Sequence, residues 1–457
     1  MEQTIAYKTT KTKEKKHIMT SISEPEIRYN DQWVSWNENV SHPYQKQISV
    51  ELEEHLVNAV ANHPSVRVFG NRYSSADISA GTQVLIDVSK YNKVISVNRA
   101  TKEVTVQAGI TLEELLNVVQ ASGWCIPCLP DIDKVTVGGA LATATHGTNG
   151  FILSKYVSKF RMVLADGAIQ EFTDADLETD AIRVSLGVLG MFSEITFQCE
   201  DNYRLHLKEA PMKDDKWVGN LDQYMADYDF VRILWLPHTN HGYVILGTKV
   251  SPDFTFKEKS VPKYVRHRRK MSKFLYQYTH KYPKFTAMAN KILFYLFFTP
   301  KKEHAGSLYD ATVTKSRGST MELAEWTVAY SKFKDLFKDL KTVLNDKSNN
   351  AFVHVPMDVR FLKKDNAWLS YASDEDVVTV GCVCRNSPVA DDYEAFEKVE
   401  ETFLKYGGRP HWGKRFIVKN KELGKLYSKW EDFKALREKL DPSNKFLNGY
   451  LKELFVD

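Results

Sequence analysis

Short runs of β-branched residues alternate with amphipathic segments between Val50 and Cys199, and this pattern constrains the fold more than any other feature of the chain. It predicts a helix near 50–62 and another that begins at Leu112 after a capping box of Thr111 and Glu114. Strands are predicted at 66–69, 84–87, 94–97, 104–108, 160–164, 169–172 and 193–199. The mixture favours an α+β fold over a doubly wound parallel sheet.

A second set of elements follows residue 205. Strands are predicted near 230–234, 243–249, 352–361 and 377–385, and helices near 333–344 and 393–404. The stretch 421–454 is again helical and charged, with a break at Pro442. These changes of pattern predict a flexible tail over 1–29, a first domain over 30–204, a second, substrate-sized domain over 205–405 and a C-terminal segment over 406–457.

Composition excludes several classes of protein. The 457 residues are 43% hydrophobic and 26% charged, which excludes a disordered or low-complexity chain. The net charge of +4 gives no general case for nucleic-acid binding. Five cysteines are an odd number and too sparse for a disulfide framework, so we expect a reducing, cytoplasmic compartment. The longest apolar run has seven residues, far short of the roughly 20 needed to span a bilayer.

The charge is unevenly distributed. Between Lys257 and Glu303 there are 13 Lys or Arg residues and two Glu. Aromatic residues are interleaved with these cations, namely Tyr264, Phe274, Tyr276, Tyr278, Tyr282 and Phe285. A basic face beside apolar residues is typical of a segment that lies on an anionic membrane surface. A helical excursion that packs on the second domain and keeps a solvated basic side explains the same pattern, so both interpretations stay open.

A polar turn that begins with glycine follows the predicted strand 66–69. It reads Gly70-Asn-Arg-Tyr-Ser-Ser-Ala-Asp77. Gly70 allows the backbone to approach a ligand, and successive amides with the hydroxyls of Ser74 and Ser75 are suited to cradle a pyrophosphate. A surface hairpin uses the same residue types, so this turn alone does not establish a binding site.

A long stretch of small residues runs from Leu129 to Gly150. Gly138, Gly139 and the His146-Gly147 pair would let backbone touch the face of a flat ring, since larger side chains would hold it away. A tight helix-packing site is the alternative. The chain has no Gly-x-Gly-x-x-Gly fingerprint after a strand and no Walker loop, so the sequence does not support a Rossmann or P-loop nucleotide site.

Two cysteines form a Cys125-Ile-Pro-Cys128 pair, which suggests a redox or zinc site. No second Cys/His pair at ligand spacing accompanies it, and Cys382 and Cys384 occupy alternate positions of a predicted strand. We therefore expect buried thiols and no metal.

Taken together, the two loops resemble the flavin-binding domain of the vanillyl-alcohol-oxidase superfamily, and most closely its sugar-lactone branch of gulonolactone, galactonolactone and arabinonolactone oxidoreductases. Further motifs follow in the same order, namely 165–168, 186–199, 235–238, 356–361, 409–414, 437–442 and 446–451. The resemblance implies a two-subdomain PCMH-type FAD-binding domain over 30–204 and a substrate (cap) domain with an antiparallel sheet over 205–405. It also implies that 406–457 returns to the FAD domain.

The resemblance implies FAD as the cofactor. The residues that it assigns to the diphosphate and the flavin are Phe69, Gly70, Asn71, Arg72, Tyr73, Ser74, Ser75, Asp77, Pro130, Val135, Gly138, Gly139, Thr143, His146, Gly147 and Ile195. Many oxidases of the family have a histidine, covalently bonded to the flavin, where this chain has Tyr73. We therefore expect FAD to be held without a covalent bond.

The resemblance also implies a set of catalytic and substrate-binding residues. Asp358 and Arg360 are two apart in a strand-like run and so project to one face, although a surface ion pair would do the same. The family places an arginine at position 360 beside the flavin, where it stabilises the anionic reduced ring. Lys414 is then a second cation and His411 a supporting residue. Asp358 stands where the family has a glutamate that holds sugar hydroxyls.

The activity that the resemblance implies is oxidation of a sugar-1,4-lactone, such as gulono-, galactono- or arabinono-lactone, by hydride transfer to flavin N5. Oxygen is the expected electron acceptor. A dehydrogenase that uses a quinone or cytochrome is an alternative, as is a related sugar or polyol oxidase. The polyol alternative is weaker because 377–384 has no histidine to match that of the alditol oxidases. A non-catalytic, membrane-associated flavin-binding protein is the alternative from another class.

Overall fold

A computed structural model describes residues 24–257, 268–313, 322–346, 348, 351–384 and 394–456. Tyr264 and the first 23 residues of the expected tail lie outside these ranges. The N-terminal region contains the strands β1 (Glu26–Val34), β2 (Ser41–Ser49), β3 (Val66–Phe69), β4 (Val84–Asp87), β5 (Val94–Asn98), β6 (Glu103–Gln107), β7 (Trp124–Cys125), β8 (Val157–Val163), β9 (Ile169–Thr173), β10 (Met191–Gln198) and β11 (Glu200–Asp201). Its helices are α1 (Glu53–Ala61), α2 (Leu112–Ala121), α3 (Val137–Ala142) and α4 (Thr179–Ile182).

Two sheets build this first domain. One has the order β1-β2-β4-β3, in which β4 pairs in parallel with both β2 and β3. The other is antiparallel, with the order β5-β6-β10-β8-β9. Thr111 and Glu114 form the expected capping box at the start of α2. The two sheets correspond to two subdomains, which meet along the loops that follow β3 and precede α3.

The flexible tail expected over 1–29 overlaps the first strand. Residues 26–29 belong to β1, where Glu26 pairs with Ser49 of β2. Ile27, Tyr29 and Trp33 alternate with polar residues along β1, but Asp31 interrupts this apolar face and all but two residues of the strand are exposed.

The remaining strands form one eight-stranded antiparallel sheet, which we call the cap sheet, with the order β15-β12-β14-β13-β17-β18-β16-β19. These strands are β12 (Arg204–Lys213), β13 (Phe230–Leu236), β14 (His241–Val250), β15 (Lys302–Ser307), β16 (Glu322–Ala329), β17 (His354–Leu362), β18 (Val377–Cys384) and β19 (Arg409–Pro410). The helices after β12 are α5 (Asp214–Gly219), α6 (Leu221–Asp227), α7 (Arg268–Lys281), α8 (Thr286–Phe297), α9 (Leu308–Thr312), α10 (Phe333–Asn345), α11 (Glu394–Lys405), α12 (Asn420–Leu426), α13 (Trp430–Leu440) and α14 (Gly449–Phe455). The α+β class and the antiparallel second sheet are thus confirmed.

The two faces of the cap sheet have different partners. Alternation along β13 puts Trp235 on the face that packs against Phe337 of α10, with ring centroids 4.7 Å apart. Arg232, Leu234 and Leu236 lie on the opposite face. That second face meets the first domain, where the amide of Asn149 donates to the carbonyl of Phe361 at 2.7 Å. It also carries α8, whose Leu293 and Phe297 pack in one apolar cluster with Leu234 and Leu236.

The C-terminal segment completes both domains. Its first residues form β19, an edge strand of the cap sheet that pairs with β16. The chain then returns to the first domain, where the amide of Val66 donates to the carbonyl of Lys445 at 3.0 Å and the buried Arg67 donates to the carbonyl of Phe446 at 2.8 Å. Among the described helices, none combines the length and apolar content that a bilayer crossing requires.

Candidate functional site

A cleft lies between the first domain and the cap sheet. Its walls are the loop after β3, the stretch from Pro130 through α3 to His146, and the segment 186–192. The cap side contributes Glu325, Arg360, His411, Gly413 and Lys414. Of the residues predicted to hold a cofactor, those that line this cleft are Phe69, Gly70, Asn71, Arg72, Tyr73, Ser74, Pro130, Val135, Gly138, Gly139, Thr143 and His146.

The loop after β3 presents unused backbone donors. Arg72 has a positive φ of 61°, a backbone conformation found in anion-binding nests. The amides of residues 71–74 donate to no oxygen of the described chain. Gly70 packs so closely on the second wall that a Cβ there would overlap Thr136 Oγ1. The loop is therefore held against α3 by close contact, while its amides are free for an anionic ligand.

Four residues that were predicted to contact the cofactor do not line the cleft. Ser75 is buried and its hydroxyl accepts a hydrogen bond from Asn37 at 3.3 Å. Asp77 pairs with His42 at 2.7 Å, and the amide of Gly147 donates to Cys128 Sγ at 3.2 Å. Ile195 is fully buried in the sheet of β10. The structure places these four behind the cleft wall, because their side chains or amides are already engaged by the protein.

Three buried side chains form a charged cluster at the cap end of the cleft. Glu325 Oε1 accepts a hydrogen bond from Arg360 Nη2 at 3.0 Å and lies 3.2 Å from His146 Nε2. Burial alone would raise the pKa of Glu325, but Arg360 and His146 outweigh it and hold that pKa well below its usual range. The cluster therefore keeps Glu325 ionised and fixes the guanidinium of Arg360 beside the cleft.

Asp358 occupies a different position from the one that sequence reasoning gave it. Both of its oxygens face Arg232, whose Nε and Nη2 donate at 2.9 and 2.7 Å. Arg360 Nε lies 3.3 Å from Asp358 Oδ2. Asp358 and Arg360 do share one face of β17, as predicted, but Asp358 does not line the cleft. Its carboxylate instead joins two arginines below the cleft wall.

His411 is held in one protonation form. Its Nδ1 accepts a hydrogen bond from the amide of Gly413 at 3.0 Å, so the proton of the neutral ring resides on Nε2. Burial lowers the pKa of His411 well below its usual value, and the nearby cation of Lys414 lowers it further. His411 therefore presents a neutral N–H donor near Glu325, whose carbonyl accepts from the His411 amide at 2.8 Å.

His146, Glu325 and His411 each offer a ligand atom within 4.8 Å of the others, which is close enough to bind a metal ion. The carboxylate in this group is already paired with Arg360, and a fixed guanidinium repels a divalent cation at that distance. The donor set thus favours a charge-balanced cluster over a metal centre.

Sequence reasoning missed Glu325. The available signal was an acidic residue, Glu325, inside the run Leu323-Ala-Glu-Trp-Thr-Val-Ala329, whose other residues have the composition of a buried strand. Nothing in the local sequence places that residue opposite Arg360, because the two come from β16 and β17, which are separated in the sheet by β18. The motif 186–199 was identified, but its residues Leu186 and Gly187, which have positive φ values and line the cleft, were not assigned to the site.

The chain is similar to proteins of known activity. A family model described as D-arabinono-1,4-lactone oxidase matches residues 195–454, and one described as FAD binding domain matches residues 49–173. The L-gulonolactone oxidase of Mus musculus is 30% identical over 426 residues, which cover 90% of this chain and 94% of the relative. The L-gulono-1,4-lactone dehydrogenase of Mycobacterium tuberculosis is 26% identical over 92% of this chain and 98% of the relative.

Solved structures show the same fold. The cholesterol oxidase of B. sterolicum superposes with a TM-score of 0.73 at 16% identity, covering 94% of this chain and 97% of that chain. The expected PCMH-type architecture is thereby confirmed. Because a family model matches more than half of the chain, and a relative 30% identical is matched over 90% of it, the chain belongs to the D-arabinono-1,4-lactone oxidase family.

Proposed function

We propose that this protein is an FAD-dependent oxidoreductase that oxidises a carbinol carbon of a sugar-1,4-lactone. The observation that carries the proposal is that one cleft contains both features: free loop amides at one part and the buried Arg360–Glu325–His146 cluster at another. The first suits a diphosphate, and the second supplies fixed charge where a reduced ring needs it. The names of the relatives add the substrate class.

The cleft fits FAD. The amides of residues 71–74 match the oxygens of a diphosphate, and Gly138 and Gly139 offer a flat surface for a ring. A side chain at Gly138 would lie 3.0 Å from Ala108 Cβ, so this surface cannot carry one without displacement. When bound, FAD accepts a hydride from the substrate carbon.

Within this proposal the FAD is held without a covalent bond. Tyr73 lines the cleft and packs on Trp36, with ring centroids 5.5 Å apart. A phenol at this position lacks the imidazole nitrogen through which the histidine-linked relatives bond their flavin. Acid should therefore release the flavin from this protein.

The residues of the cap side orient the substrate and stabilise charge. Arg360 and Lys414 place two cations at the cleft, where negative charge develops as the ring is reduced. His411 keeps a neutral N–H, so it can donate to a carbonyl or hydroxyl without adding charge. These roles for Arg360, His411 and Lys414 are those the resemblance implies.

The experiment that tests this function is anaerobic mixing of the purified yellow protein with a panel of aldono-1,4-lactones. We expect at least one lactone to bleach the flavin, and readmission of air to separate an oxidase from a dehydrogenase. Arg360→Ala should slow bleaching about 100-fold, while Arg360→Lys, which keeps a charge, should slow it less. Unchanged bleaching in Arg360→Ala, or no bleaching by any lactone in the wild type, would contradict the proposal.

We also propose that the protein works in a reducing, cytoplasmic compartment. Cys125, Cys128, Cys199 and Cys382 are buried and free of disulfides. Burial raises the pKa of Cys128 to about 11, so this thiol stays protonated at neutral pH.

A second proposal concerns the helical hairpin of α7 and α8, which exposes much apolar surface. The side chains involved, which we call the hairpin face, are Met271, Phe274, Tyr278, Tyr282, Phe285, Met288, Ile292, Tyr295 and Leu296. They are half of the eighteen large apolar side chains that are exposed in the described part of the chain. The opposite side of α8 is buried against the cap sheet, so α8 carries apolar side chains on both sides.

The charge of this hairpin favours one occupant, an anionic lipid surface. Between Arg268 and Lys302 there are nine Lys or Arg and no Asp or Glu. Exposed Lys270, Lys273 and Lys284 flank the hairpin face, where their stems can lie on apolar surface and their ammonium groups can reach lipid headgroups. A second copy of the chain would bring like charges together across a two-fold interface. We therefore propose peripheral membrane contact through this hairpin.

Sedimentation with lipid vesicles tests the membrane contact. We expect the protein to sediment with phosphatidylserine-containing vesicles, less with pure phosphatidylcholine, and less at high salt. The double variant Phe274→Ser and Tyr295→Ser removes the two most exposed side chains of the face, at 60% and 69%, and should weaken binding at least tenfold. Leu177→Ser, which removes an apolar side chain 88% exposed on the first domain, is the matched control. No sedimentation, or equal loss in the control, would contradict the contact.

A further inference from the structure

Asp131 and Glu325 are the two carboxylates among the described residues that line the cleft of the proposed lactone oxidoreductase, and Glu325 is the one bonded to Arg360. Resemblance alone assigns the sugar hydroxyls to Asp358. Its two oxygens, however, already accept from Arg232 Nε and Nη2, and Arg360 Nε lies within ion-pair distance. A carboxylate that is held by two arginines and does not line the cleft has little capacity left for a ligand.

Glu325 is in the opposite situation. Its Oε1 accepts from Arg360 and lies beside His146, and among the hydrogen bonds of the described residues none goes to Oε2. Glu325 also lines the cleft. An ionised oxygen at a ligand cleft requires donors, and a molecule rich in hydroxyl groups supplies them.

The register of the cap sheet leaves room beside this oxygen. Gly381 of β18 pairs with Glu325 on one side and with Asp358 on the other. A Cβ at Gly381 would lie 3.8 Å from Glu325 Cδ and 3.9 Å from Asp358 Cβ, which is ordinary contact. The two carboxylates therefore stand in one row across three strands, with no side chain between them.

We propose that Glu325, rather than Asp358, is the carboxylate that accepts hydrogen bonds from the hydroxyl groups of the lactone, through Oε2. Its Oε1 at the same time fixes Arg360, so one side chain couples the position of the substrate to that of the cation. Asp358 is a positioning residue that orients Arg232 and Arg360. Gly381 keeps the space between the two carboxylates free of a side chain. The inference rests on the proposed function, since it names the group that recognises that substrate.

Matched variants distinguish the two carboxylates. Glu325→Gln and Asp358→Asn each keep the shape and remove the charge. The probe is the binding to the oxidised enzyme, followed by perturbation of the flavin spectrum, of a deoxy lactone that lacks the oxidised hydroxyl and of analogues of it that lack one further hydroxyl. None of these ligands can reduce the flavin, so the readout does not depend on turnover.

In the wild type we expect one analogue that lacks a further hydroxyl to bind about 10- to 100-fold more weakly than the unreactive deoxy lactone, the usual effect of losing a hydrogen bond to a charged group. In Glu325→Gln that difference should shrink to about threefold or less, because the acceptor charge is gone. In Asp358→Asn it should persist. Undiminished discrimination in Glu325→Gln, or its loss only in Asp358→Asn, would overturn the inference.

A second variant keeps the inference testable if Glu325→Gln fails to retain FAD. Gly381→Val adds a side chain beside Glu325 without backbone strain, since Gly381 does not have a positive φ. It should weaken lactone binding at least tenfold while leaving the affinity of the flavin for sulfite, a small anion, within about twofold. Lactone affinity equal to the wild type would count against the inference. If the wild-type protein neither binds nor is reduced by any lactone, the proposed function itself fails.

Discussion

Gly70 lies where the loop after β3 packs closely on the second wall of the cleft. A Cβ at this position would overlap the side chain of Thr136, and the loop that follows supplies the free amides. Gly70→Ala must therefore push the loop away from α3. We expect it to weaken FAD binding at least tenfold, measured by quenching of flavin fluorescence on titration of the apoprotein.

The control for Gly70→Ala is Gly219→Ala in α5. A Cβ at Gly219 meets nothing within 4 Å, and Gly219 does not have a positive φ, so alanine there should leave FAD affinity unchanged and raise stability slightly. Wild-type FAD affinity in Gly70→Ala would show that the contact with Thr136 does not hold the loop.

Residues could be predicted from sequence where their chemistry is local. Gly70 and Gly138 were identified because glycine next to a strand or in a small-residue run has a restricted set of uses. Glu325 could not be identified in this way, because its importance depends on the strand order that sets it across β18 from Asp358 and Arg360. The same order gives Asp358 an arginine partner, Arg232, that is 126 residues away in the chain.

Helix α11 carries an ionisable group that makes its packing depend on pH. Glu400 is buried, and its carboxylate accepts a hydrogen bond from the amide of Ile417 at 2.9 Å. Burial raises the pKa of Glu400 to about 7, from an ordinary value of 4.5. The folded state therefore binds this proton more tightly than the unfolded state. Its contribution to stability is complete below pH 4.5 and is lost as the pH rises through 7.

Glu400→Gln removes that dependence while keeping an acceptor for the Ile417 amide. Between pH 5 and pH 8 we expect the wild type to lose about 2 to 3 kcal/mol of unfolding free energy relative to this variant, measured by urea denaturation at both pH values. Glu401→Gln, an exposed neighbour that pairs with Lys398, is the control and should follow the wild type. Parallel pH profiles for Glu400→Gln and the wild type would refute the assignment.

The sequence pattern predicted where most helices and strands lie, but it did not predict which strands pair with each other. β3 and β4 lie where their β-branched runs predicted them, because each is a short apolar segment between turn signals. β1 and β2 were missed because a polar residue interrupts the apolar face of each strand, Asp31 in β1 and Lys46 in β2. The parallel pairing of β4 with both neighbours was also missed, since pairing depends on contacts between segments that are distant in the chain.

At the scale of the whole molecule, the two domains share one site and one hydrophobic core. The largest apolar cluster contains residues from α2 of the first domain, from the cap sheet and from α14 at the C-terminus. The cleft likewise takes its loop amides from one domain and its Arg360–Glu325 pair from the other. Neither part holds the complete site, so a change that loosens the connection between domains should affect FAD binding and substrate binding together.

The returning C-terminal segment makes part of that connection through Asn448. Its Nδ2 donates to the carbonyls of Asp77 and Ala80, at 3.0 and 2.6 Å, in the stretch that follows the cleft loop. Its Oδ1 accepts from the amide of Leu451 at 2.8 Å and so caps α14. One buried side chain thus joins the start of the last helix to the stretch 77–80.

Two substitutions separate these roles of Asn448. Asn448→Ala loses the cap and both donations, so we expect a loss of about 2 to 4 kcal/mol in unfolding free energy and weaker FAD binding. Asn448→Ser keeps a cap for α14 but cannot reach the two carbonyls as the amide does, so it should recover about 1 kcal/mol of stability while FAD affinity stays reduced. Urea denaturation and FAD titration measure the two effects. Full recovery of FAD affinity in Asn448→Ser would mean that the helix cap, and not the link to residues 77–80, supports the cleft.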